Sequence, residues 1–93
     1  MSAQVTYGVL VDHEEIDPES PIPPYQQVAG ILRARIESGA LPPGRRLPSI
    51  ADLVQTYGIA RTTAAKALRV LVGEGLAEIS PGMGTYVKRP RLP

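Results

Sequence analysis

The sequence predicts a mainly α-helical domain that closes with a small β-hairpin. Three observations support this fold class. Three segments in the middle of the chain carry apolar residues at helical spacing, a short glycine-led turn separates the last two, and two strand-like runs flank a proline-glycine turn near the end. The chain has 93 residues, which is the size of one domain.

The first helix is predicted to begin at Pro24, after the proline-rich joint DPESPIPP of residues 17–24. Proline suits the first turn of a helix, and Gly39 is well placed for the left-handed residue that ends one. Apolar residues at i, i+3, i+4, i+7 and i+11 form one buried stripe. These residues are Tyr25, Val28, Ala29, Leu32 and Ile36.

The second and third helices are predicted to form a helix-turn-helix. Ser49 and Asp52 have the spacing of a capping box at the start of the second helix, Gly58 ends that helix, and Gly75 ends the third. Their apolar stripes are Ile50, Leu53, Val54 and Tyr57, and then Ala64, Ala67, Leu68 and Leu71. Because only about three residues, 58–60, connect the two helices, they are expected to cross steeply.

The last part of the chain has the pattern of a hairpin. The runs LAEIS and TYVKR, at residues 76–80 and 85–89, flank PGMG at residues 81–84. One proline and two glycines favour a tight reversal of the chain. Added to the helices, this predicts a winged helix-turn-helix, with three helices plus a C-terminal β-hairpin wing.

The N-terminal segment has a different character from the rest of the chain. We divide the sequence into an acidic segment with a proline-rich joint at residues 1–23, a winged-helix domain at 24–89 and a short tail at 90–93. Apolar residues of the first segment recur at every second position, as in a strand: Val5, Tyr7, Val9 and Val11. We expect this run to form a strand that pairs with a second copy or with a sheet edge; the alternative is a disordered tail.

Charge is distributed unevenly along the chain. The first 20 residues hold five acidic and no basic residues, whereas the remainder holds all ten basic and the other four acidic residues. A basic body is typical of a protein with an anionic partner such as nucleic acid. Charge alone favours a solvated surface equally well.

No catalytic, metal or cofactor site is predicted. The chain has no cysteine, so disulfides and cysteine-zinc sites are excluded. His13 lies beside Glu14 and Glu15 with too few converging groups for a metal site or an acid–base pair. The sequence also has no phosphate-binding Gly-Lys loop, no nucleophile elbow, no bilayer-spanning run and no secretory signal. We therefore expect a cytoplasmic, nucleoid-associated protein that is not an enzyme and needs no cofactor.

The third helix carries the residues that indicate DNA binding. Those expected to face outward at its start and along its exposed side are Arg61, Thr62, Thr63, Lys66 and Arg69. The second helix of a helix-turn-helix enters the major groove with its N-terminal residues at base edges. Arginine can donate two parallel hydrogen bonds to guanine, and threonine can contact phosphate or the thymine methyl group. The helix at residues 60–74 is therefore expected to lie in the major groove.

The wing at residues 81–85 is expected to lie along the DNA backbone or in the minor groove, with Lys88 near phosphates. Gly82 and Gly84 also serve the turn itself, because a tight reversal needs positive φ angles. Met83 between them is poorly suited to phosphate contact, which leaves insertion of the tip open.

Several short motifs are distinctive in combination. They are Pro24-Tyr25, Leu41-Pro42-Pro43-Gly44, Leu47-Pro48-Ser49, Arg61-Thr62-Thr63, Glu74-Gly75-Leu76 and Gly82-Met83-Gly84-Thr85. With them, residues 24–87 resemble the DNA-binding domain of the GntR family of bacterial transcription regulators. The resemblance implies a winged helix that binds operator DNA, usually as a dimer on a near-palindrome. It also implies DNA contacts at the start of the third helix and on the wing glycines.

The sequence departs from the pattern of that family in three places. Ile50-Ala51 stand where the family usually has Glu-Arg, Ala65 stands where it has arginine, and Met83 stands where the wing tip is often basic. Fewer arginines imply weaker binding or a different operator. Typical members also continue into a larger effector-binding and dimerising domain, whereas this sequence stops at Pro93.

We therefore expect a sequence-specific double-stranded DNA-binding transcription regulator, a repressor, that acts as a homodimer on a near-palindromic operator and has no membrane partner. Ser49 and Arg46 complete the expected DNA-binding set, and further phosphate contacts are expected from Arg33, Arg45 and Arg89. The alternative is a winged-helix protein-interaction module without specific DNA binding, which the missing arginines keep open.

Overall fold

The computed structural model describes residues 15–89 and has the element order of a winged helix. Its elements are α1 (Pro24–Ser38), α2 (Ile50–Tyr57), α3 (Arg61–Gly73), β1 (Ala77–Ser80) and β2 (Gly84–Val87). The predicted fold class is confirmed: three helices are followed by a two-stranded antiparallel hairpin. The predicted strand of the N-terminal segment, His13 and the C-terminal tail at 90–93 lie outside the described residues.

Helix α1 begins and ends where the sequence predicts. Pro24 occupies its first turn, and Gly39 follows its last residue in the left-handed conformation. Of the predicted stripe, Val28, Ala29 and Leu32 are fully buried. Tyr25 and Ile36 pack against the edge of the same core.

Helices α2 and α3 form the predicted helix-turn-helix around the three-residue turn 58–60. Both halves of the capping box are present, because the Asp52 backbone N–H donates to Ser49 Oγ and the Ser49 N–H donates to Asp52 Oδ2, each at 3.0 Å. Gly58 ends α2 with φ of 67°, a conformation that costs other residues steric strain. Helix α3 spans one residue less at each end than the predicted 60–74.

The core lies where α3 crosses the other elements. Helix α3 packs on α1, α2 and β1. Its complete predicted stripe is buried, namely Ala64, Ala67, Leu68 and Leu71. Small alanines on this helix let its backbone approach α1 closely, and the larger residues Leu32, Leu47 and Leu53 fill the space around them. The opposite side of α3 is therefore free to meet solvent.

The hairpin is joined by a third extended segment that the sequence did not predict. Strands β1 and β2 pair with Ala77 opposite Val87 and Ser80 opposite Gly84. On the other side of β2, Arg46 forms an antiparallel bridge to Tyr86. The Leu47 N–H donates to the Thr85 carbonyl and the Val87 N–H donates to the Arg45 carbonyl, both at 2.8 Å. The wing is thereby tied to the loop that leads into α2.

The helices within residues 15–89 are each too short or too polar to cross a lipid bilayer.

We expect loss of the cap to lower the stability of the whole domain. Ser49→Ala removes the acceptor for the Asp52 backbone N–H at the start of an eight-residue helix. The expected loss is about 1 kcal/mol of unfolding free energy, measured by urea denaturation. Thr56→Ala is the matched control, since it removes a hydroxyl group from the exposed side of the same helix without touching the cap. Equal losses of unfolding free energy in both variants would mean that the Ser49 cap does not stabilise the domain.

Candidate nucleic-acid interface

The start of α3 presents polar side chains and free backbone donors to solvent. Arg61 and Thr62 are exposed, and Thr63 is half-buried. Ala60 occupies the N-cap position and makes no side-chain hydrogen bond to the helix. The first N–H groups of a helix have no intrahelical partner, and together with the helix dipole they attract anions. This end of α3 therefore combines an arginine, two hydroxyl groups and an anion-attracting helix terminus.

The exposed side of α3 continues along the helix with two cations. Thr62, Lys66 and Arg69 are exposed, and their spacing of four and three residues places them on one face. The Lys66 ammonium lies 4.2 Å from the centroid of the Tyr25 ring on α1. Such a cation–π contact at an exposed site contributes about 0.5–1 kcal/mol. Lys66 is thus held toward α1, whereas the side chain of Arg69 makes no hydrogen bond or ion pair to another described residue.

Arg33 has a structural partner. Its guanidinium donates two hydrogen bonds to the Glu74 carboxylate, at 2.8 and 2.7 Å, and so links α1 to the end of α3. The hydrogen bond from Arg33 lowers the pKa of Glu74, and the same bond raises the pKa of Arg33. A phosphate contact by Arg33 would have to compete with this bidentate pair, which weakens its expected role in DNA binding.

Arg46 lies between the wing and the start of α2. Its side chain crosses Gly84 at the beginning of β2. It also attracts Asp52, whose pKa is lowered chiefly by the hydrogen bond from the Ser49 backbone, then by the Ser49 side chain, and to a smaller extent by Arg46. Three of the expected site residues, Arg46, Ser49 and Gly84, are therefore brought together here.

The wing tip is small and partly apolar. Met83 is 61% exposed and Ile79 is 60% exposed. Gly82 lies in the turn between the strands, and Gly84 begins β2. Lys88 is not near this tip, because its N–H donates to the Leu76 carbonyl at the base of the hairpin. Lys88 therefore lies apart from Gly82 and Gly84, although all three were expected to contact DNA from the wing.

The departures from the family pattern have visible structural settings. Ile50 is half-buried and packs against the core at the first turn of α2. Ala51 beside it is exposed and carries only a methyl group. Ala65 is half-buried on α3.

Among residues 15–89, no group of three or more His, Asp and Glu side chains is arranged to hold a metal ion.

A family comparison agrees with this geometry. The profile described as "Bacterial regulatory proteins, gntR family" matches residues 24–87, which is more than half of the chain. The chain belongs to the gntR family. The match covers all three helices and both strands of the wing.

Several named bacterial repressors are similar in sequence to this chain. The chain is 40% identical over 77 residues to the HTH-type transcriptional repressor NagR of Bacillus subtilis, and this covers 83% of the chain and 32% of NagR. It is 41% identical over 73 residues to the histidine utilization repressor of Pseudomonas aeruginosa, covering 78% of the chain and 29% of that protein. The chain therefore spans about a third of the length of these curated relatives.

Solved gntR-family structures have the same fold. The DNA-binding domain of AraR in complex with operator ORX1 superimposes with a TM-score of 0.73 at 33% identity, covering 80% of this chain and 94% of that one. YtrA of Sulfolobus acidocaldarius also gives a TM-score of 0.73 at 36% identity, covering 83% of this chain and 65% of that one.

The sequence predicted the exposed side of α3 but not the surroundings of Arg46. Outward-facing residues follow directly from the apolar stripe, whereas the crossing of Arg46 over Gly84 depends on pairing between distant segments. The two glycines of the wing, Gly82 and Gly84, do not indicate in the sequence which side chain lies against them.

We expect the Arg33–Glu74 pair to stabilise the domain only where Glu74 is ionised. Because folding lowers the pKa of Glu74, its contribution is complete above its ordinary value of 4.5 and is lost as the pH falls through the lowered value. Glu74→Gln should therefore reduce the urea midpoint at pH 7, and the difference from the unmodified chain should shrink toward pH 3 and in about 1 M salt.

The matched control for this measurement is Glu78→Gln. Glu78 is an exposed glutamate on β1 that forms no ion pair with a described residue. Its substitution should leave the urea midpoint close to that of the unmodified chain at every pH in the same range. An identical pH profile for both variants would mean that the Arg33 pair does not stabilise the fold.

Proposed function

We propose that this chain is a sequence-specific double-stranded DNA-binding transcription regulator that acts as a repressor. Helix α3 enters the major groove, and the wing at residues 81–85 contacts the flanking backbone or minor groove. The observation that carries this proposal is the start of α3, where exposed Arg61 and Thr62 stand at a helix terminus with no side-chain cap. That arrangement suits base edges and phosphate together.

The relatives support the same function. NagR and the histidine utilization protein are named as repressors, and they are about 40% identical to this chain over its winged helix. The AraR domain, which superimposes on this chain, is seen in complex with operator DNA. A chain that shares the fold and carries an uncapped third helix led by an arginine has the parts needed for the same kind of contact. Such a role requires no catalysis and no cofactor, and it places the protein with the nucleoid in the cytoplasm.

The DNA contacts fall into two classes. Arg61, Thr62 and Thr63 meet base edges and the nearest phosphates at the start of α3. The remaining contacts are to the DNA backbone and come from Ser49, Arg46, Lys66, Arg69, Gly82, Gly84 and Lys88. Base contacts determine which sequence is bound, while backbone contacts set the register of the domain on the duplex.

We also propose that the chain acts as a homodimer on a near-palindromic operator. One winged helix covers one half-site, and two half-sites a helical turn apart require two copies with a fixed spacing. The strand-like pattern of Val5 to Val11 is one candidate for the contact between copies. Light scattering with and without a duplex of two half-sites tests this. A complex of one chain per duplex would exclude the dimer.

A protein-interaction module is the second candidate function. It is favoured by the exposure of two large apolar residues on the wing, Ile79 and Met83, which would suit an apolar partner surface. The two functions differ in their dependence on salt. Binding to DNA releases counterions from phosphates, whereas binding to an apolar surface does not.

We expect the affinity for duplex DNA to fall steeply with salt. Each neutralised phosphate contributes about −0.9 to the slope of log K against log salt, so four or five contacts give a slope of about −4. Fluorescence anisotropy with a labelled duplex at several salt concentrations measures this slope. Binding that is unchanged between low and moderate salt would favour the protein-interaction module.

We expect Arg61→Ala to reduce specific binding more than non-specific binding. A bidentate arginine–guanine pair contributes about 1–3 kcal/mol of discrimination between bases. Lys88→Ala is the comparison, because Lys88 lies at the base of the hairpin. Its loss should weaken binding to all sequences equally, and by less than the loss of Arg61 weakens specific binding. Both variants are titrated with an operator selected from a random library and with a scrambled duplex. Equal losses of Arg61→Ala on both duplexes would make Arg61 a phosphate contact only.

A further inference from the structure

Arg46 and Gly84 are in closer contact than any side chain at position 84 would allow. A Cβ atom built on Gly84 would lie 2.8 Å from Arg46 Nε, 3.4 Å from Nη2 and 3.5 Å from Cζ. Real Cβ atoms do not approach another heavy atom to 2.8 Å. The Arg46 side chain therefore occupies the space that a side chain on β2 would otherwise fill.

The backbone around this contact is fixed on both sides. Gly84 is paired with Ser80 of β1, and its φ of 131° lies in the region that favours glycine. On the Arg46 side, the bridge to Tyr86 and the flanking hydrogen bonds hold residues 45–47 against β2. The Arg46 guanidinium ends a long flexible chain, so it is the part that would yield to a new methyl group.

Arg46 also lies near α2, because it lines one surface groove together with Asp52 and Thr56. The Asp52 carboxylate attracts the Arg46 guanidinium. Ser49 and Asp52 supply the two side-chain oxygens of the capping box. Ala51 offers no cation at this helix terminus, whereas Arg46 is a cation near enough to attract Asp52. The Arg46 side chain thus has a close contact with Gly84 and a more distant attraction to Asp52.

We propose that Gly84 is a positioning residue for Arg46: its missing side chain lets the guanidinium lie across the wing, where it is held for a DNA phosphate beside the start of α2. This inference rests on the proposed DNA-binding function. It adds to the proposed backbone contact of Gly84 with DNA, because the effect of the missing side chain passes through Arg46, whereas a backbone N–H is kept in Gly84→Ala.

A double-mutant cycle tests the inference with the full 93-residue chain. The probe is a labelled 20-base-pair duplex of random sequence, since a phosphate contact does not depend on sequence. Arg46→Ala should lower the affinity about tenfold and reduce the salt slope by about 0.9. Gly84→Ala should have a similar effect in the unmodified chain and less than about a twofold effect when Arg46 is already alanine.

Gly82→Ala is the matched control for backbone strain. Gly82 lies in the same hairpin with φ of 76°, but a Cβ atom there would meet nothing within 4 Å. Gly82→Ala should change the DNA affinity by the same factor in the unmodified chain and in Arg46→Ala. A loss from Gly84→Ala that is equally independent of Arg46 would overturn the proposal.

Two measurements on the protein alone separate this inference from the proposed function. In the NMR spectrum, the Arg46 Nε–H signal, assigned by its loss in Arg46→Ala, should move by more than its line width in Gly84→Ala and stay in place in Gly82→Ala. An unmoved signal in Gly84→Ala would overturn the positioning role even if DNA binds. Absence of DNA binding by the unmodified chain would instead overturn the proposed function.

Thermal unfolding provides the remaining test. If Arg46 yields to the new methyl group, Gly84→Ala should lower the melting temperature by the same amount whether residue 46 is arginine or alanine, since the backbone strain at φ of 131° is common to both. A much larger decrease with Arg46 present, or failure to fold only then, would mean that Arg46 does not yield, and the proposal would be wrong.

Discussion

The pairing of residues 44–47 with β2 is the constraint on which the rest of the candidate interface depends. It adds a third extended segment to the two-stranded hairpin. In this ladder β2 lies in the centre, and backbone hydrogen bonds of 2.8 Å hold the added segment to it. An isolated two-stranded hairpin is only marginally stable in water, so the additional segment and the burial of Ala77 and Val87 in the core are what fix the wing. Because the same segment runs directly into the Ser49 cap, the position of the wing and the start of α2 are set together.

This arrangement places one cation beside the wing although two positions of the helix-turn-helix carry none. Position 51 at the start of α2 and position 65 on α3 are alanines. Arg46 of the preceding loop lies against Gly84, and Arg61 is the first residue of α3. Arg33, in contrast, is held by Glu74 and links α1 to the end of α3. Positive charge is therefore divided between residues that stabilise the fold and residues that remain available to a partner.

The sequence predicted the helices well because local patterns determine them. Apolar spacing identified the buried stripe of α3, the Ser49–Asp52 spacing identified the cap, and Gly39 and Gly58 identified helix ends. It did not predict the third extended segment, since GRRLPS has no alternation and its partner is about 40 residues away. The same reason hid the partners of Arg33 and Lys66: ion pairs and cation–π contacts between distant helices leave no periodic trace. Exposure of the site could thus be predicted from sequence, but the contacts that orient its side chains could not.

The ladder holds the wing and the start of α2 in place before any DNA is bound. Amide hydrogen exchange can measure this at the N–H groups of Leu47 and Val87, which cross between the two segments. In the free protein these amides should exchange as slowly as those of the buried part of α3, because opening them requires unfolding of the domain. Exchange near the rate of an unstructured peptide, with protection only after duplex DNA is added, would show that DNA and not the ladder fixes the wing.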